Sequence, residues 1–422
     1  MAELLENKQP LARAVLVSVD TGEFDVEQSL DELEELANTA EAQVLARVTQ
    51  KRESCDAATC IGSGRLEEVR AFCEENDVNL LIFDVELTAT QTRNIEEITG
   101  VRVIDRTTLI LDIFAMRARS KEGRLQVELA QQRYRLPRLA GMGTQLSRLG
   151  GGIGTRGPGE TKLETDRRHI RRRIQTLEGE LEQVEKRREM MRRRRKKDNV
   201  TTVAIVGYTN VGKSTLLNAL TDAGVLAENK LFATLDPTAR ALELPDGRSV
   251  LLVDTVGLIR RLPHHLVEAF QSTLEEAAQA DLILHVCDIS SDEAQEQAAV
   301  TEQLLSELGC GAIPVLRVYN KCDRLAVPPD VHAGDDGVLI SAKTGFGFDD
   351  LLRQIAGKLA SASRRMTLLL PYDKAGLAAK VREDGRVFSE EFTGEGVLLD
   401  ALVDSRVFPL VAAYEKRESP SC

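Results

Sequence analysis

The chain has 422 residues, a length that allows two to four domains, each with its own core. Its apolar fraction of 42% and charged fraction of 29% are those of an ordinary soluble protein. No run approaches the roughly 18 apolar residues of a membrane span, and no signal-peptide pattern begins the sequence. Seven cysteines without a CxxC pair favour reduced thiols and a cytoplasmic protein over a disulfide framework.

The net charge of −12 conceals a segregation of sign along the chain. Between Arg117 and Lys197 there are 24 Lys/Arg and 10 Asp/Glu, a net of +14, whereas the remaining residues carry a net of −26. A strongly cationic segment in an acidic chain favours an element that binds a polyanion such as nucleic acid. A merely solvated helical face is the alternative.

Residues 1–105 alternate strand and helix patterns. This alternation predicts crossover connections and a parallel sheet. Gly62-Ser63-Gly64 is interpreted as a plain turn, because a short GxG alone is a weak sign of an anion site. The predicted strands are 14–19, 42–48, 80–83 and 101–104, and the predicted helices are 26–39, 66–75 and 88–98.

Residues 106–199 are expected to form a basic helical hairpin. Apolar residues recur at alternating spacings of four and three, the a/d seam of a helix that packs along another helix. Leucines between 125 and 139 nearly repeat the pattern. Two long helices, 106–138 and 160–197, are therefore predicted to pair antiparallel, and two separate amphipathic helices are the alternative. The seam positions are 170, 174, 177, 181 and 184.

A glycine-rich loop, residues 141–159, joins the two predicted helices. It contains Arg148 and Arg156 and too little apolar surface to order itself. Glycine lets backbone approach a partner closely, so the loop is interpreted as a probe for a groove in RNA. An inert linker is the alternative.

A phosphate-binding loop is predicted within residues 200–362. The apolar strand 203–206 is followed by GYTNVGKS and then a helix, which is the context that GxxxxGK[ST] requires. In such a loop, backbone N–H groups surround the β-phosphate, Lys213 reaches the β- and γ-phosphates, and the Ser214 hydroxyl binds Mg²⁺. The residues expected to contact the nucleotide here are Gly207, Tyr208, Thr209, Asn210, Val211, Gly212, Lys213 and Ser214.

A second motif, DTVG, follows the apolar strand 250–253. An Asp at this place can bind Mg²⁺ through water, and the Gly257 N–H can contact the γ-phosphate and sense its loss. The predicted contact residues are Asp254, Thr255, Val256 and Gly257.

Two further motifs follow the strands 315–319 and 338–340. A carboxylate at Asp323 can accept from guanine N1–H and N2–H₂ together, whereas adenine leaves it unpaired. GTP and GDP, and not ATP, are therefore the expected ligands. The predicted contact residues are Asn320, Lys321, Cys322 and Asp323, with Ser341, Ala342 and Lys343 in the loop expected to meet guanine O6.

Residues 363–422 predict a small α+β domain without a chemical motif. Its predicted strands are 367–370 and 396–403, with a helix at 375–382 and a helical turn at 408–414. The chain is thus predicted to be an α/β protein of four domains, with borders at 1–105, 106–199, 200–362 and 363–422.

Three segments together resemble the HflX family of translation-factor-class GTPases. They are FATLDPT at 232–238, DTVG with the LIRRLP that follows it, and GGIGTRGPGETKLETDRR. The resemblance covers nearly the whole chain. It implies a monomeric GTPase that uses Mg²⁺, binds rRNA of the large ribosomal subunit through residues 117–197, and splits stalled ribosomes under stress, with hydrolysis controlling release.

The resemblance also implies roles for the FATLD segment. Thr234 is expected to bind Mg²⁺ in the GTP state, with Thr238 as the rival. Lys213, Thr234 and Gly257 are the expected catalytic residues. The further nucleotide contacts that the resemblance implies are Phe232, Ala233, Leu235 and Asp236.

Two positions depart from the commonest GTPase pattern. Leu258 stands where many small GTPases have a glutamine that orients water, so slow intrinsic hydrolysis is expected, with a partner supplying or ordering the missing group. Asn210 resembles the asparagine of GTPases that bind K⁺ beside the phosphates, and a hydrogen bond within the loop is the alternative.

A membrane-associated or protein-binding switch is the contrasting hypothesis for the whole chain. The apolar stripe of residues 167–197 is narrow, which is typical of pairing with a helix and not of lying in a membrane interface. Peripheral membrane association nevertheless stays open beside the expected cytoplasmic, ribosome-associated location.

Overall fold

The structure is a computed structural model, and the part of the chain that it describes divides into two compact units. Unit 1 comprises residues 1–183, 228–236 and 260–271, and unit 2 comprises 184–227, 237–259 and 272–422. The predicted loop 141–159 lies outside the described residues except at its last two positions. Ala233 also lies outside them. The described residues are 12–139, 158–197, 200–221, 231–232, 234–261, 263, 266, 271–325, 337–361, 363–384, 386–404 and 407–416.

Unit 1 begins with a four-stranded parallel sheet in the order β2-β1-β3-β4. The predicted strand–helix alternation and parallel sheet are confirmed. All four residues of β3 are buried, and so is most of β1, as expected for apolar strands covered on both faces. The elements are β1 (Ala12–Asp20), α1 (Val26–Thr39), β2 (Ala42–Lys51), α2 (Ser63–Glu75), β3 (Leu80–Phe83), α3 (Ala89–Thr99) and β4 (Arg102–Asp105).

The middle region contains three helices, α4 (Arg106–Arg117), α5 (Lys121–Arg138) and α6 (Pro158–Lys197). The prediction of one helix over 106–138 is wrong, because the chain breaks between α4 and α5. Ala118 is extended, and the Ser120 hydroxyl accepts from the Gly123 N–H at 2.8 Å and caps α5. Within the described part of the chain, no helix is both long and apolar enough to span a bilayer.

The helices α5 and α6 contact each other through ion pairs. Lys121 lies 3.9 Å from Glu180, Glu128 pairs with Arg173 at 2.6 Å, and Arg133 pairs with Glu178 at 2.9 Å. The order of these pairs along the two helices does not define one direction, so the antiparallel pairing stays a prediction. Four leucines of the two predicted seams, Leu125, Leu129, Leu177 and Leu181, are less than 10% exposed. The a/d spacing therefore identified buried positions on both helices.

Unit 2 contains a six-stranded sheet in the order β10-β9-β8-β5-β7-β6, in which β6 is antiparallel to β7 and the other pairs are parallel. The carboxyl ends of the parallel strands share one edge, where open α/β sheets bind ligands. The strands are β5 (Thr201–Gly207), β6 (Thr238–Glu243), β7 (Ser249–Asp254), β8 (Leu282–Asp288), β9 (Val315–Asn320) and β10 (Gly337–Leu339). The helices are α7 (Lys213–Thr221), α8 (Gln271–Ala278), α9 (Ala294–Glu307) and α10 (Phe348–Ser361).

The C-terminal part of unit 2 is an antiparallel sheet, β11-β13-β12, with a core of its own. The predicted α+β character is confirmed, but β12 was not predicted. Its sequence, RVFSEEFT, mixes exposed phenylalanines with acidic residues and shows no clear apolar face. The elements are β11 (Ser363–Leu370), α11 (Ala375–Asp384), β12 (Arg386–Thr393), β13 (Gly396–Asp404) and α12 (Phe408–Val411).

Candidate nucleotide site

The loop between β5 and α7 curls through left-handed backbone. Asn210 has φ +60° and Gly212 has φ +97°. At Gly212 a side chain is excluded on two counts, because glycine favours this φ and an added Cβ would lie 2.4 Å from the Asn320 Nδ2. The GxxxxGKS segment therefore has the strand–loop–helix context that the sequence predicted.

An ammonium group is buried at the start of α7. Lys213 is 7% exposed, and its Nζ donates to the carbonyl oxygens of Gly207 at 3.0 Å and Tyr208 at 2.7 Å. Burial lowers the pKa of Lys213 to about 8, and the nearby carboxylate of Asp254 opposes this shift. A buried cation of this kind is well placed to attract a polyanionic ligand.

The next residue joins this helix start to the end of β7. The Ser214 hydroxyl donates to Asp254 Oδ2 at 2.7 Å, and Asp254 is fully buried. Thr255, also fully buried, donates from its hydroxyl to the Ile205 carbonyl at 2.7 Å. The oxygen-bearing side chains of Ser214 and Asp254 thus meet beside Lys213.

The end of the DTVG motif lies directly against the phosphate-binding loop. The Leu258 N–H donates to the Gly207 carbonyl at 3.2 Å, and the Thr209 N–H donates to the Leu258 carbonyl at 2.8 Å. A Cβ on Gly257 would lie 2.6 Å from Thr209 Cγ2 and 3.2 Å from Lys213 Nζ. Only glycine allows this approach. The side chains of Val256 and Leu258 are buried.

Asn320 connects the phosphate-binding loop to the loop after β10. Its Nδ2 donates to the Val211 carbonyl at 2.7 Å, and its Oδ1 accepts from the Ala342 N–H at 2.8 Å. Because Asn320 is 2% exposed, both hydrogen bonds are shielded from water. The asparagine therefore positions two of the predicted ligand-contacting segments at once.

The residues that follow Asn320 present an exposed carboxylate. Lys321, in left-handed backbone with φ +67°, pairs with Asp288 Oδ2 at 2.6 Å. The Cys322 N–H donates to the Ile340 carbonyl at 3.3 Å. Asp323 Oδ1 accepts from the Ser341 hydroxyl at 2.6 Å, and this hydrogen bond lowers the pKa of Asp323, with a smaller contribution from Lys343. The carboxylate is thus ionised and oriented by its neighbour.

Three family models match consecutive parts of the chain. They are described as GTP-binding GTPase N-terminal at residues 27–115, GTP-binding GTPase middle region at 117–195, and 50S ribosome-binding GTPase at 202–321. The GTPase HflX of Caldanaerobacter subterraneus subsp. tengcongensis is 53% identical over 407 residues, which cover 96% of this chain and 94% of the relative. The chain belongs to the HflX family.

A second curated relative agrees with the HflX assignment. The GTPase HflX of Escherichia coli K12 is 43% identical over 87% of this chain and 88% of its own. A solved GTP-binding protein from Sulfolobus solfataricus, in complex with GDP, is 26% identical over 83% of this chain and 99% of its own, with a TM-score of 0.44. As a member of the HflX family with a matching GTPase domain, the chain is a GTP-binding enzyme that hydrolyses GTP.

The FATLD segment of this HflX-family chain belongs to unit 1. Phe232 is buried with φ +53°, and its ring packs edge-to-face on Phe114 with centroids 4.7 Å apart. Leu235 is buried, and Thr234 is half-buried. The sequence indicated nucleotide contacts for this segment but not its packing on the helix α4.

Asp236 has a partner that the sequence did not indicate. Its Oδ2 accepts from the backbone N–H groups of Arg119 at 2.8 Å and Ser120 at 2.7 Å, and its Oδ1 accepts from the Ser120 hydroxyl. These donors lie at the N-terminus of α5, where a carboxylate is favoured by the helix dipole. Both carboxylate oxygens of Asp236 are therefore engaged by the middle region.

The arginines after DTVG also have partners in unit 1, and sequence reasoning missed them. Arg261 donates from Nη1 to Asp84 Oδ2 at 2.9 Å and from Nη2 to the Asp84 carbonyl at 3.1 Å. Arg106 donates to the other oxygen of Asp84 at 2.9 Å, and Arg260 donates to Gln28 at 2.7 Å. One feature of the sequence could have indicated these ion pairs. Asp84 is an acidic residue directly after an apolar strand, where a buried carboxylate needs a cationic partner.

Proposed function

We propose that this HflX-family GTPase binds the large ribosomal subunit through residues 117–197 and splits stalled ribosomes under stress, with GTP hydrolysis controlling its release. The match of residues 202–321 to the family described as 50S ribosome-binding GTPase supports a ribosomal partner. The net charge of +14 on residues 117–197 supports RNA as the surface that is bound.

The observation that carries this proposal is the cationic outer surface of α6. Leu177 and Leu181 of the seam are buried. Exposed arginines lie in two stretches of the helix, within 168–173 and 187–194, on either side of a stretch that contains exposed glutamates. Guanidinium groups bind phosphate oxygens bidentately and keep their charge at any physiological pH. Phosphate contacts by such a surface make binding steeply dependent on salt. Arg171 and Arg172 are exposed members of the first stretch.

The proposed nucleotide chemistry follows from the buried groups at the start of α7. Lys213 would bind the β- and γ-phosphates, and the loop N–H groups of residues 207–212 would surround the β-phosphate. The Ser214 hydroxyl and, through water, the Asp254 carboxylate fit Mg²⁺, which takes few protein oxygens and completes its shell with water and phosphate. When bound, Mg²⁺ neutralises charge that develops on the phosphate oxygens during hydrolysis.

Gly257 and Thr234 are the proposed sensors of the γ-phosphate. The Gly257 N–H would donate to it, and Thr234 would add a hydroxyl to the Mg²⁺ shell in the GTP state. Leu258 is buried and has no polar side-chain atom, so it cannot orient the attacking water. We expect intrinsic hydrolysis to be slow and ribosomes to accelerate it.

A K⁺ ion is the proposed activating cation beside Asn210, whose left-handed backbone turns the loop there. A monovalent cation at this place would add positive charge that other GTPases take from an arginine. Hydrolysis rates measured in matched KCl and NaCl test this role. Equal rates in the two salts would remove K⁺ from the mechanism.

Guanine selection is proposed for Asp323, with the backbone of Ala342 and Lys343 near guanine O6. The Ser341 hydroxyl occupies one lone pair of Asp323 Oδ1, which leaves the rest of the carboxylate to accept from N1–H and N2–H₂ of the base. An adenine ring lacks both donors in that arrangement, so ATP would leave the carboxylate unpaired.

The ribosomal role is tested by co-sedimentation with ribosomes and with anionic liposomes, in the presence of a GTP analogue or GDP. We expect the wild type to sediment with ribosomes and not with liposomes, and Arg171→Glu/Arg172→Glu to lose most of that binding. The matched control is Lys374→Glu/Lys380→Glu, which changes the net charge equally at exposed positions of the C-terminal part. Equal loss in both variants, or binding to liposomes alone, would contradict the proposal.

A further inference from the structure

The loop between β2 and α2, residues 52–62, brings two cysteines together. Asp56 and Cys60 form an isolated antiparallel bridge, with N–H to carbonyl distances of 2.8 Å and 3.0 Å. The Asp56 carboxylate accepts from the backbone N–H groups of Ala58 at 2.8 Å and Thr59 at 3.2 Å and so orders the turn. Cys55 directly precedes this bridge.

The backbone of Cys60 adopts a conformation that is rare for its residue type. Its φ is +65°, in the left-handed region that glycine favours and that other side chains occupy at a cost. Such outliers persist where the surrounding structure holds them, and they cluster at functional sites. Here the bridge to Asp56 holds the strained residue and turns its thiol inward.

The two cysteines lie in different environments. The Cys55 side chain is exposed, whereas Cys60 is 1% exposed. Burial raises the pKa of Cys60, and the neighbouring Cys55 adds to this rise. Bridged residues such as Asp56 and Cys60 usually have Cα atoms about 5.5 Å apart. The adjacent Cys55 is therefore close to the range of about 4.4–6.8 Å over which a disulfide joins two Cα atoms.

We propose that Cys55 and Cys60 are a reversible oxidation site, at which a disulfide closes the loop between β2 and α2. The oxidant is a small disulfide of the glutathione class. Disulfides in proteins of reducing compartments are usually transient and redox-sensing, so this site would respond to the thiol–disulfide balance around the protein.

The reaction proceeds in two exchanges. The Cys55 thiolate attacks glutathione disulfide, and one glutathione thiolate leaves. The Cys60 sulfur then attacks Cys55, the bond from Cys55 to glutathione breaks, and the departing second glutathione takes the Cys60 proton. Two protein thiols are oxidised, and one glutathione disulfide is reduced to two glutathione thiols. Burial raises the pKa of Cys60, so the exposed Cys55 meets the oxidant first.

The surroundings of the loop favour closure without unfolding. The carbonyl oxygens of Asp56 and Ala58 accept from the side chains of Gln91 at 2.7 Å and Asn94 at 3.0 Å, which fix the loop on α3. The loop follows the carboxyl end of β2, so the disulfide would lie at the edge of the first sheet where the parallel strands end. The buried Cys73, on α2, is the contrast within the same domain.

The site can be tested on the full-length protein, because one tryptic peptide, 53–65, contains both cysteines. The protein is incubated with glutathione disulfide, denatured, alkylated with iodoacetamide and digested. We expect this peptide to lose the mass of two hydrogen atoms, to resist alkylation, and to recover both thiols with dithiothreitol.

Three variants distinguish the steps. Cys60→Ser should stop at a glutathione adduct on Cys55, Cys55→Ser should leave Cys60 unmodified, and the control Cys73→Ser should behave as wild type. Circular dichroism checks that each variant is folded. In the wild type, a lasting glutathione adduct on Cys55 or two alkylated cysteines would overturn the proposal whatever the variants do.

Discussion

Asp84 offers the sharpest test of how unit 1 is held together. It is fully buried, and its carboxylate accepts from Arg106 and Arg261, each at 2.9 Å, and from the Ser29 hydroxyl at 2.7 Å. Asp84→Asn keeps the shape but removes the charge and turns a donor towards a guanidinium. Removing one partner of a buried ion pair costs about 3–5 kcal/mol. Because Arg106 keeps Glu32 and Arg261 is 32% exposed, we expect about 3 kcal/mol.

Hydrogen–deuterium exchange of the β1 and β3 amides measures the loss of stability within unit 1 alone. A local method is needed because the chain has two units, and the chain contains no tryptophan whose fluorescence could report unfolding. The matched control is Arg47→Gln, which removes partly exposed ion pairs with Asp31 and Glu34 in the same domain and should cost less than about 1 kcal/mol. If Asp84→Asn changed the opening free energy no more than Arg47→Gln does, the buried charge of Asp84 would not stabilise this domain.

Three further predictions concern the hairpin and the nucleotide site. Leu177→Ala, at a fully buried seam position, should lower the free energy of unfolding by about 2–5 kcal/mol in urea titrations, whereas the exposed Gln175→Ala should leave it nearly unchanged. Asp323→Asn should move binding from guanine to xanthine nucleotide in equilibrium titrations, and unchanged GTP affinity would exclude the proposed base contact. The third prediction concerns the pH dependence of stability. Burial lowers the pKa of Lys213 from 10.5 to about 8, so between these pH values the folded chain without nucleotide binds fewer protons than the unfolded chain. The resulting loss of folding stability, at most about 3 kcal/mol, is fully present below pH 8 and disappears as the pH rises towards 10.5. Denaturation at several pH values should therefore show the wild type becoming more stable over this range. Lys213→Met should not show this rise in stability.

Much of the fold was predictable because local signals and burial agree. The strands β1 and β3 contain continuous apolar runs, and the seam of α6 repeats over four turns, so local patterns located these elements. The break between α4 and α5 escaped prediction, and the Ser120 that caps α5 there also donates to Asp236, a residue more than 100 positions away. Long-range partners of this kind leave no local pattern.

The site was predictable in its motifs but not in its connections. GxxxxGKS and the two guanine motifs are local, and the parallel sheet of unit 2 necessarily brings its strand ends to one edge. The sequence did not indicate that Asn320 would connect two loops or that Lys321 would pair with Asp288. Nor did it indicate the partners of Phe232 and Arg261, because packing and ion pairing between distant segments depend on the folded chain.

In the proposed cycle, the nucleotide site controls the action of the basic hairpin on ribosomes. The most direct measurement is a sucrose-gradient profile of ribosomes incubated with the protein and GTP, comparing wild type with Lys213→Ala and with a deletion of the 141–159 loop. We expect the wild type to convert ribosomes into subunits, Lys213→Ala to leave them intact, and the loop deletion to bind nucleotide but fail to split them. Splitting by Lys213→Ala at the wild-type level, or unchanged ribosomes with the wild type, would contradict the proposed cycle.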